Sequence, residues 1–392
     1  MKMTAPRILI LFGLGVSFLT CGLDAGAGIE KVGLVELNHF TSKDGAPSLL
    51  VSTLYGTVTV EEPVLLELFE SSELRRLQFL RQHSIEYFTQ NQVSYNRFEH
   101  SVGVFCLVRR FGASLKEQIA SLLHDVSHTP FSHVGAFYFS SDPKKMDAFQ
   151  DTIHENFLRN SSLATILHKY GFLVEEVLPT NPLFSRLERH LPDICADRFE
   201  YNVTGGVYEG LITAEEAAFI VAHLRYADRT DGQGHALACS ATAGWFFDDI
   251  KAAQLFARLP LFMTEHVWGG VVSCVTGPWL GAALRRAVTC GVLNEEVVLN
   301  STDDAVWNLL VSSDDVELQG YTKKIIHAED YCCVDEQNPE VVMHGKFRGV
   351  DPLVCVGNEW KRLSVLDSSF KDEFARVARV MSCGWSVRFV EP

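Results

Sequence analysis

The sequence has little positive charge and no paired cysteine motif. Its 392 residues carry 34 Lys and Arg against 49 Asp and Glu, a formal net charge of −15. A protein that binds nucleic acid through phosphate contacts needs a concentrated basic surface, so this balance argues against sequence-specific nucleic-acid binding. The 10 cysteines are scattered and none forms a CxxC pair, which excludes a zinc ribbon and a dense disulfide scaffold.

Long apolar runs are scarce, and the first lies at the N-terminus. Lys2 and Arg7 precede an apolar run over residues 8–19, and the small residues 25–27 follow. This is the order of a secretory signal peptide with its cleavage site, so we predict a leader over residues 1–27. An exported protein, periplasmic or secreted, is expected if that signal is real. A mis-assigned start codon or an uncleaved leader on a cytoplasmic protein is the alternative.

A second uncharged stretch covers residues 267–284. It contains four glycines and Pro278, which favour a buried helix-turn-helix over a membrane span. We therefore expect no membrane span beyond the leader.

The remaining pattern predicts a mainly α fold. Apolar residues make up 47% and charged residues 21% of the chain, as in ordinary folded proteins. Alternation over residues 50–60 predicts a short N-terminal hairpin, and apolar spacing of three and four residues then predicts successive helices. We place a helical domain over residues 50–240. A smaller mixed α+β part is expected over residues 241–392, where apolar and polar residues alternate more often.

Imidazole and carboxylate side chains occur in four separated clusters. These are His100 in NRFEHSVG, His124 and Asp125 in LLHDVSHTPFSH, His154 and Glu155 in DTIHENF, and Asp197 in ADRFEY. Such groups are the ligands that borderline or hard divalent metals prefer when thiolates are absent. Taken singly, each is more often a hydrogen-bonded core or surface residue. Together they could form a two-His, two-Asp site with open positions, which metal-assisted hydrolysis requires.

The joint spacing and flanking residues resemble HD-domain metal-dependent phosphohydrolases, of the branch that contains the SAM-and-HD-domain deoxynucleotide triphosphohydrolases. The similarity covers residues 55–206, from the YGTVTVEEP strand pair through HD, PFSH and HE to ADRFEY, and no SAM domain is visible. It implies an HD-domain helical bundle that cleaves phosphoester or phosphoanhydride bonds, with nucleoside triphosphates as the leading substrate class. It also implies one divalent metal ion, held by His100, His124, Asp125 and Asp197. This ligand set suits Mn, Fe, Zn or Co, and Mg less well.

The same resemblance implies roles for residues around the ion. His128, His133 and His154 match histidines on the phosphate side, one of which acts as general acid or base, and Asp125 belongs to the catalytic group as well as to the ligands. An imidazole near its ordinary pKa can transfer a proton at neutral pH. The alternative for His128 and His133 is a structural one, in which they bond loop carbonyls. Glu155 could orient the ring of His154.

Four further residues match substrate contacts of the family. Arg97, Arg198 and Tyr201 match residues that face phosphates, and Gln82 matches a glutamine that hydrogen-bonds the sugar. Arg97 could equally form a surface ion pair. The partner implied is a small phosphorylated compound, with a homo-oligomer as a further expectation because family members often assemble.

The chain departs from the family pattern at positions that contact the sugar of the substrate in the family. The arginine and aspartate that end the family's DYxxRD pattern are replaced by Thr204 and Gly205, and a leucine-glycine pair is replaced by His83 and Ser84. Selectivity for deoxynucleotides therefore does not follow from the resemblance. Two alternatives stay open, namely a phosphodiesterase or nucleotidase for another phosphorylated compound, and a catalytically silent, metal-containing ligand-binding module.

Overall fold

The computed structural model describes residues 35–42, 44–90, 95–140, 142–227, 244–357 and 359–391. The leader predicted over residues 1–27 lies outside these ranges. Most of the described chain is helical, which confirms the mainly α prediction.

Three antiparallel strands open the described chain. They are β1 (Val35–Thr41), β2 (Pro47–Thr53) and β3 (Gly56–Val60), in the order β1-β2-β3. The predicted hairpin is β2–β3, in which Thr53 pairs with Gly56 across a tight turn, and the sequence analysis missed β1. Gly56 has a φ of 111°, a conformation that side-chain-bearing residues rarely adopt. The inner face of the sheet is buried through Leu49, Val51 and Val60.

The helices that follow, and the turns between them, carry the residues of the predicted site. They are α1 (Pro63–Phe69), α2 (Ser72–Arg76), α3 (Ser84–Gln90), α4 (Arg97–Arg110), α5 (Leu115–Leu123), α6 (Ser132–Phe139), α7 (Pro143–Asn160), α8 (Ser162–Lys169), α9 (Ala196–Tyr208) and α10 (Ala214–Ala222), with short 3-10 turns at Leu77–Phe79 and Val174–Val177. Helix α4 begins at a capping box of Asn96 and Glu99, which satisfies its first free N–H groups. It packs against both α5 and α9, so residues far apart in sequence meet around it.

The C-terminal part is mixed α+β, as predicted. The strand β4 (Leu224–Ala227) precedes it, and its own elements are β5 (Gly244–Phe247), α11 (Ile250–His266), α12 (Val271–Thr289), α13 (Glu295–Asn300), α14 (Asp303–Val311), α15 (Val316–Ile326), α16 (Ala328–Tyr331), β6 (Cys332–Val334), β7 (Val341–Met343), β8 (Leu353–Val356), β9 (Glu359–Arg362), α17 (Leu363–Leu366), α18 (Ser368–Cys383) and β10 (Trp385–Phe389). The strands form two small sheets, ordered β4-β5-β8-β9 and β6-β10-β7.

The hydrophobic core crosses the position where the sequence analysis divides the chain. Phe199 of α9 stacks on Phe256 of α11 with ring centroids 5.0 Å apart, and both belong to one buried cluster. A second cluster joins Phe131, before α6, to Trp307 of α14. The boundary near residue 240 stays a prediction, and the C-terminal part packs directly against the helices that hold the site.

The uncharged stretch at residues 267–284 lies on the turn after α11 and on α12. Within the described ranges, no single helix is long and apolar enough to cross a membrane, although α11 and α12 reach that length and composition as a pair bent by 54°. Both helices bury apolar side chains within the protein.

Candidate active site

The four predicted metal ligands meet where α4, α5 and α9 converge. The Nε2 atoms of His100 and His124 lie 3.1 Å apart, and Asp197 Oδ1 lies 2.9 Å from His100 Nε2 and 3.6 Å from His124 Nε2. Ligand atoms of His100, His124 and Asp125 all lie within 4.8 Å of one another. Asp193, four residues before Asp197, instead pairs with Arg362.

Hydrogen bonds on the far side of each imidazole turn the two Nε2 atoms toward each other. His124 ends α5 and its Nδ1 lies 2.7 Å from the carbonyl oxygen of Ser121, to which it can donate. His100 lies one turn into α4, and its Nδ1 contacts a carboxylate oxygen of Glu200. Since both Nδ1 atoms are engaged, Nε2 is the atom of each ring that faces a metal, which would take the place of any proton held there.

The charge balance of this cluster fits a divalent cation. Burial alone would lower the pKa of His100, but Glu200, Asp197 and Asp125 outweigh it and raise the pKa to about 10. Burial also opposes ionisation of Asp125, yet Arg97 and the nearby imidazoles hold the pKa of its carboxyl well below the usual range. Two imidazoles and two ionised carboxylates that converge within bonding reach make a suitable donor set. When bound, a divalent ion acts as a Lewis acid toward a phosphoryl group and promotes ionisation of water.

Three more histidines line the other side of Asp125. His128 Nε2 lies 3.1 Å from Asp125 Oδ1, His154 Nδ1 lies 2.8 Å from Ser127 Oγ, and the ring of His133 lies edge-on to that of His128 at 5.0 Å. Among the described residues, the remaining ring nitrogens His128 Nδ1 and His154 Nε2 are buried without a hydrogen-bond partner. They are therefore available to a ligand.

These histidines differ from the sequence-based expectation in their protonation. Burial, with Arg97 as the largest charge effect, lowers the pKa of His128 to about 4, and burial together with His124 lowers that of His154 to about 4. The His133 residue is partly open to solvent, but desolvation of its ring by the surrounding protein, together with the positive charges of Arg348 and Arg97, holds its pKa well below the ordinary value. All three are neutral at pH 7 in the metal-free protein, so they begin as proton acceptors.

Comparison with known proteins places the chain in a family. The HD-domain family model matches residues 97–180. A metal-dependent phosphohydrolase of the fungus Cordyceps militaris, cns2, is 30% identical over 306 residues, which cover 78% of this chain and 84% of the relative. The chain belongs to the HD-domain metal-dependent phosphohydrolases.

Two other matches have a narrower meaning. Mouse SAMHD1, a deoxynucleoside triphosphate triphosphohydrolase, is 33% identical to this HD phosphohydrolase over 134 residues, 29% of this chain and 20% of the relative. A crystal structure of a phosphohydrolase from Bacteroides thetaiotaomicron shares the fold with a TM-score of 0.55 at 16% identity, over 85% of this chain and 95% of the other.

The predicted substrate residues of the HD phosphohydrolase lie in different settings. Arg97 is 3% exposed, and its guanidinium already bonds Asp125 and, at 2.6 Å, the hydroxyl of Ser132. Arg198 donates to the backbone carbonyls of Asp193 and Arg189. Contact of either arginine with phosphate therefore stays a prediction.

Tyr201 and Gln82 border the same region. The Tyr201 ring lies 6.4 Å from that of His100 and edge-on to Trp268 at 5.6 Å. Gln82 Oε1 and Trp268 Nε1 are buried and have no hydrogen-bond partner in the described part of the chain. Gln82 therefore offers an acceptor, and Trp268 offers a donor beside the Tyr201 ring.

Glu200 is a functional residue that the sequence analysis missed. It is 1% exposed, contacts His100 Nδ1, and accepts a hydrogen bond from Thr204 Oγ1 at 2.6 Å. Gly103 of α4 makes room for it, since a Cβ there would lie 2.6 Å from Glu200 Oε1. The sequence feature that could have identified Glu200 is its position three residues after Asp197, on the same face of the helix. Glu155, named instead as an orienting carboxylate, is exposed and pairs with Arg159.

Arg348 is a second residue that the sequence analysis missed, and no motif marks it. It lies between β7 and β8 in the C-terminal part, and its charge lowers the pKa of His133 and opposes the effect of burial on Tyr201. It is half-buried and has no carboxylate partner among the residues described. The site therefore combines a cation-binding cluster with neutral histidines and a nearby positive charge, which suits hydrolysis of a phosphorylated compound.

Proposed function

We propose that this phosphohydrolase cleaves a phosphoanhydride or phosphoester bond of a nucleotide, with deoxynucleoside triphosphates as the leading class. The observation that carries the proposal is the pairing of a His/Asp cluster with three uncharged histidines and with Arg97. A substrate with several phosphate charges matches this arrangement. The partial similarity to mouse SAMHD1 supports the nucleotide class.

The chain's own residues divide the work in this proposal. His100, His124, Asp125 and Asp197 would hold the ion. Arg97 and Arg198 offset negative charge at the phosphates, and Tyr201 borders them. One of His128, His133 and His154 accepts a proton from the attacking water through a ring nitrogen and returns it to the leaving oxygen. Gln82 Oε1 offers an acceptor to a sugar hydroxyl.

A second candidate is hydrolysis of another phosphorylated compound, as by a phosphodiesterase or nucleotidase. The observation that favours it is His83, which occupies a position where the family pattern differs. Its ring lies edge-on to Trp268 at 5.7 Å and to Tyr95 at 6.0 Å. These bulky rings reshape the side of the site where the family's sugar contact is expected.

The decisive experiment measures release of phosphate, pyrophosphate and triphosphate from a panel of ribo- and deoxynucleotides with manganese. Loss of two ligands should remove both metal and turnover, so His124→Ala/Asp125→Ala should be inactive. The matched control is His223→Ala/Asp248→Ala, because His223 and Asp248 form a His–Asp pair 2.7 Å apart outside the site.

Three results would separate the candidates. Triphosphate release that vanishes only in the site variant supports the triphosphohydrolase. Turnover of monophosphates or diesters alone supports the second candidate. A metal-loaded protein that is silent on every compound contradicts both and favours a ligand-binding module.

A further inference from the structure

The C-terminal part reaches the active site through Asp303, the first residue of α14. Its side chain has no exposed surface, and both carboxylate oxygens accept hydrogen bonds from backbone N–H groups. Oδ1 accepts from Phe131 at 2.7 Å, and Oδ2 accepts from Arg81 at 2.8 Å. A buried carboxylate is costly unless hydrogen bonds compensate for lost water, so these two bonds fix where the two backbone segments lie.

One of those bonds falls on a backbone turn that needs support. Phe131 and Ser132 have φ values of 62° and 54°, in the left-handed region that residues with side chains rarely adopt. Two such residues in succession persist only where the surrounding structure holds them. The Phe131 side chain is fully buried beside α12 and α14, and Asp303 holds its N–H group.

The supported turn leads directly to the active site. The Ser132 hydroxyl accepts from Arg97 Nε at 2.6 Å and donates to the Arg81 carbonyl at 3.2 Å. Arg97 in turn bonds Asp125, and His133 follows Ser132 in the chain. Two hydrogen bonds of Arg97, one to Ser132 and one to Asp125, therefore connect the turn held by Asp303 to a predicted metal ligand.

A parallel connection joins the same two regions. Arg76 donates through Nη1 to the Ser301 carbonyl at 3.0 Å, and through Nη2 to the carbonyls of Val126 at 2.9 Å and His128 at 2.7 Å. Arg76 thus connects the segment before α14 to two carbonyl groups of the loop that carries His128.

We propose that Asp303 is a positioning residue for the active site, and that it holds the Phe131–Ser132 turn so that Arg97 and His133 face the substrate. The C-terminal part is then a component of the active site. This inference rests on the proposed function for the roles of Arg97 and His133, and on the hydrogen bonds alone for the placement of the turn.

The test compares Asp303→Asn with Asp304→Asn. Asp304 is the matched control, because it is the neighbouring aspartate and bonds the same Arg81, but at 2.8 Å through an exposed ion pair. Asp303→Asn keeps the size of the side chain but leaves it only one acceptor oxygen. The N–H groups of Phe131 and Arg81 each need one. We expect kcat per bound manganese, with the fastest substrate of the nucleotide panel, to fall about 10- to 100-fold, since small misplacements of catalytic groups have effects of that order.

A structural readout accompanies the kinetics. Asp303→Asn should retain bound manganese, because His100, His124 and Asp197 are not touched, and should speed amide hydrogen exchange in peptides covering residues 81–82 and 126–134. Asp304→Asn should leave kcat, metal content and exchange at the wild-type level. Wild-type kcat per bound metal in Asp303→Asn overturns the proposal, as does loss of metal in proportion to activity.

Two further outcomes are covered. If Asp303→Asn does not fold, Ser132→Ala decides, because it removes the link to Arg97 without disturbing the buried carboxylate, and a normal kcat there overturns the proposal. If the wild-type protein hydrolyses no nucleotide, the proposed function fails by itself. Amide exchange then decides for Asp303, and equal exchange in the two variants overturns its positioning role.

Discussion

The active site has two halves that use the same side chain in opposite ways. In the metal half, His100 and His124 face carboxylates, and these raise the pKa of both imidazoles against the effect of burial. The other half consists of His128, His133 and His154 and is named the phosphate half after its proposed ligand. There His128 and His154 are also buried, but cationic neighbours add to burial and lower both pKa values to about 4. The number of carboxylates around each imidazole, rather than the presence of histidine, therefore distinguishes the half that is suited to a cation.

Asp125 separates the two halves and contacts both. Its carboxylate lies 3.7 Å from His100 Nε2 and 3.1 Å from His128 Nε2, and it also bonds Arg97. One buried negative charge thus faces the metal ligands on one side and positive or neutral groups on the other. A phosphate that enters the second half would meet uncharged imidazoles and Arg97, whose positive charge offsets the Asp125 carboxylate to which it is bonded.

The largest expected effect is a loss of kcat when the phosphate half is altered and the metal half is left intact. Replacing its histidines one at a time, as His128→Asn, His133→Asn and His154→Asn, should lower kcat about 10²- to 10⁴-fold for the one that transfers the proton. Bound metal should stay unchanged, because none of the three is a ligand. Steady-state kinetics together with metal analysis of the purified variants measures both quantities.

The control for this series is His168→Asn, an exposed histidine at the end of α8. It should leave kcat and metal content unchanged. Loss of metal together with activity in any of the three site variants would contradict the division into halves.

The structure brings the four predicted metal ligands together but changes the expected protonation of His128, His133 and His154, and this difference has a physical reason. His100, His124, Asp125 and Asp197 are recognisable because ligand chemistry restricts residue type and because the flanking motifs are local. Periodicity likewise predicted the helices and the β2–β3 hairpin, since both patterns repeat over a few residues.

The contributions of Glu200, Asp303 and Arg348 could not be predicted in this way. Asp303 acts on backbone groups of Phe131 and Arg81, 172 and 222 residues away in sequence, and no local pattern records such a contact. The pKa values of His128 and His154 likewise depend on burial and on charges from other elements. Arg97 shows the same limit, because the resemblance implies a phosphate contact whereas packing gives its guanidinium to Asp125 and Ser132.

A second prediction tests how much Glu200 contributes to metal affinity in the metal half. Glu200→Gln keeps the size of the side chain but removes the charge that holds His100, so divalent-metal affinity should weaken about 10- to 100-fold, as is usual for groups that orient metal ligands. Competition titration with cobalt, followed by its visible absorption, measures the affinity and the ligand geometry together.

Glu155→Gln is the matched control for this variant. Glu155 follows a site histidine in sequence but pairs at the surface with Arg159, so cobalt affinity should not change. An equal loss in both variants would indicate a general effect of charge, and an unchanged affinity in Glu200→Gln would remove Glu200 from the site.

The smallest effect, about tenfold per pH unit, is the pH dependence of metal binding, which reports the protonation of His100. Glu200, Asp197 and Asp125 raise the pKa of His100 to about 10, so its imidazole is protonated at neutral pH before metal binds. Metal binding must displace that proton, and affinity should therefore rise with pH, about tenfold per pH unit for each proton released. Competition titrations between about pH 6 and pH 8 measure the slope, within the range where His100 keeps its proton. Glu200→Gln removes the first of these carboxylates and should flatten the slope, whereas a wild-type affinity that does not change with pH would contradict the protonated state of His100.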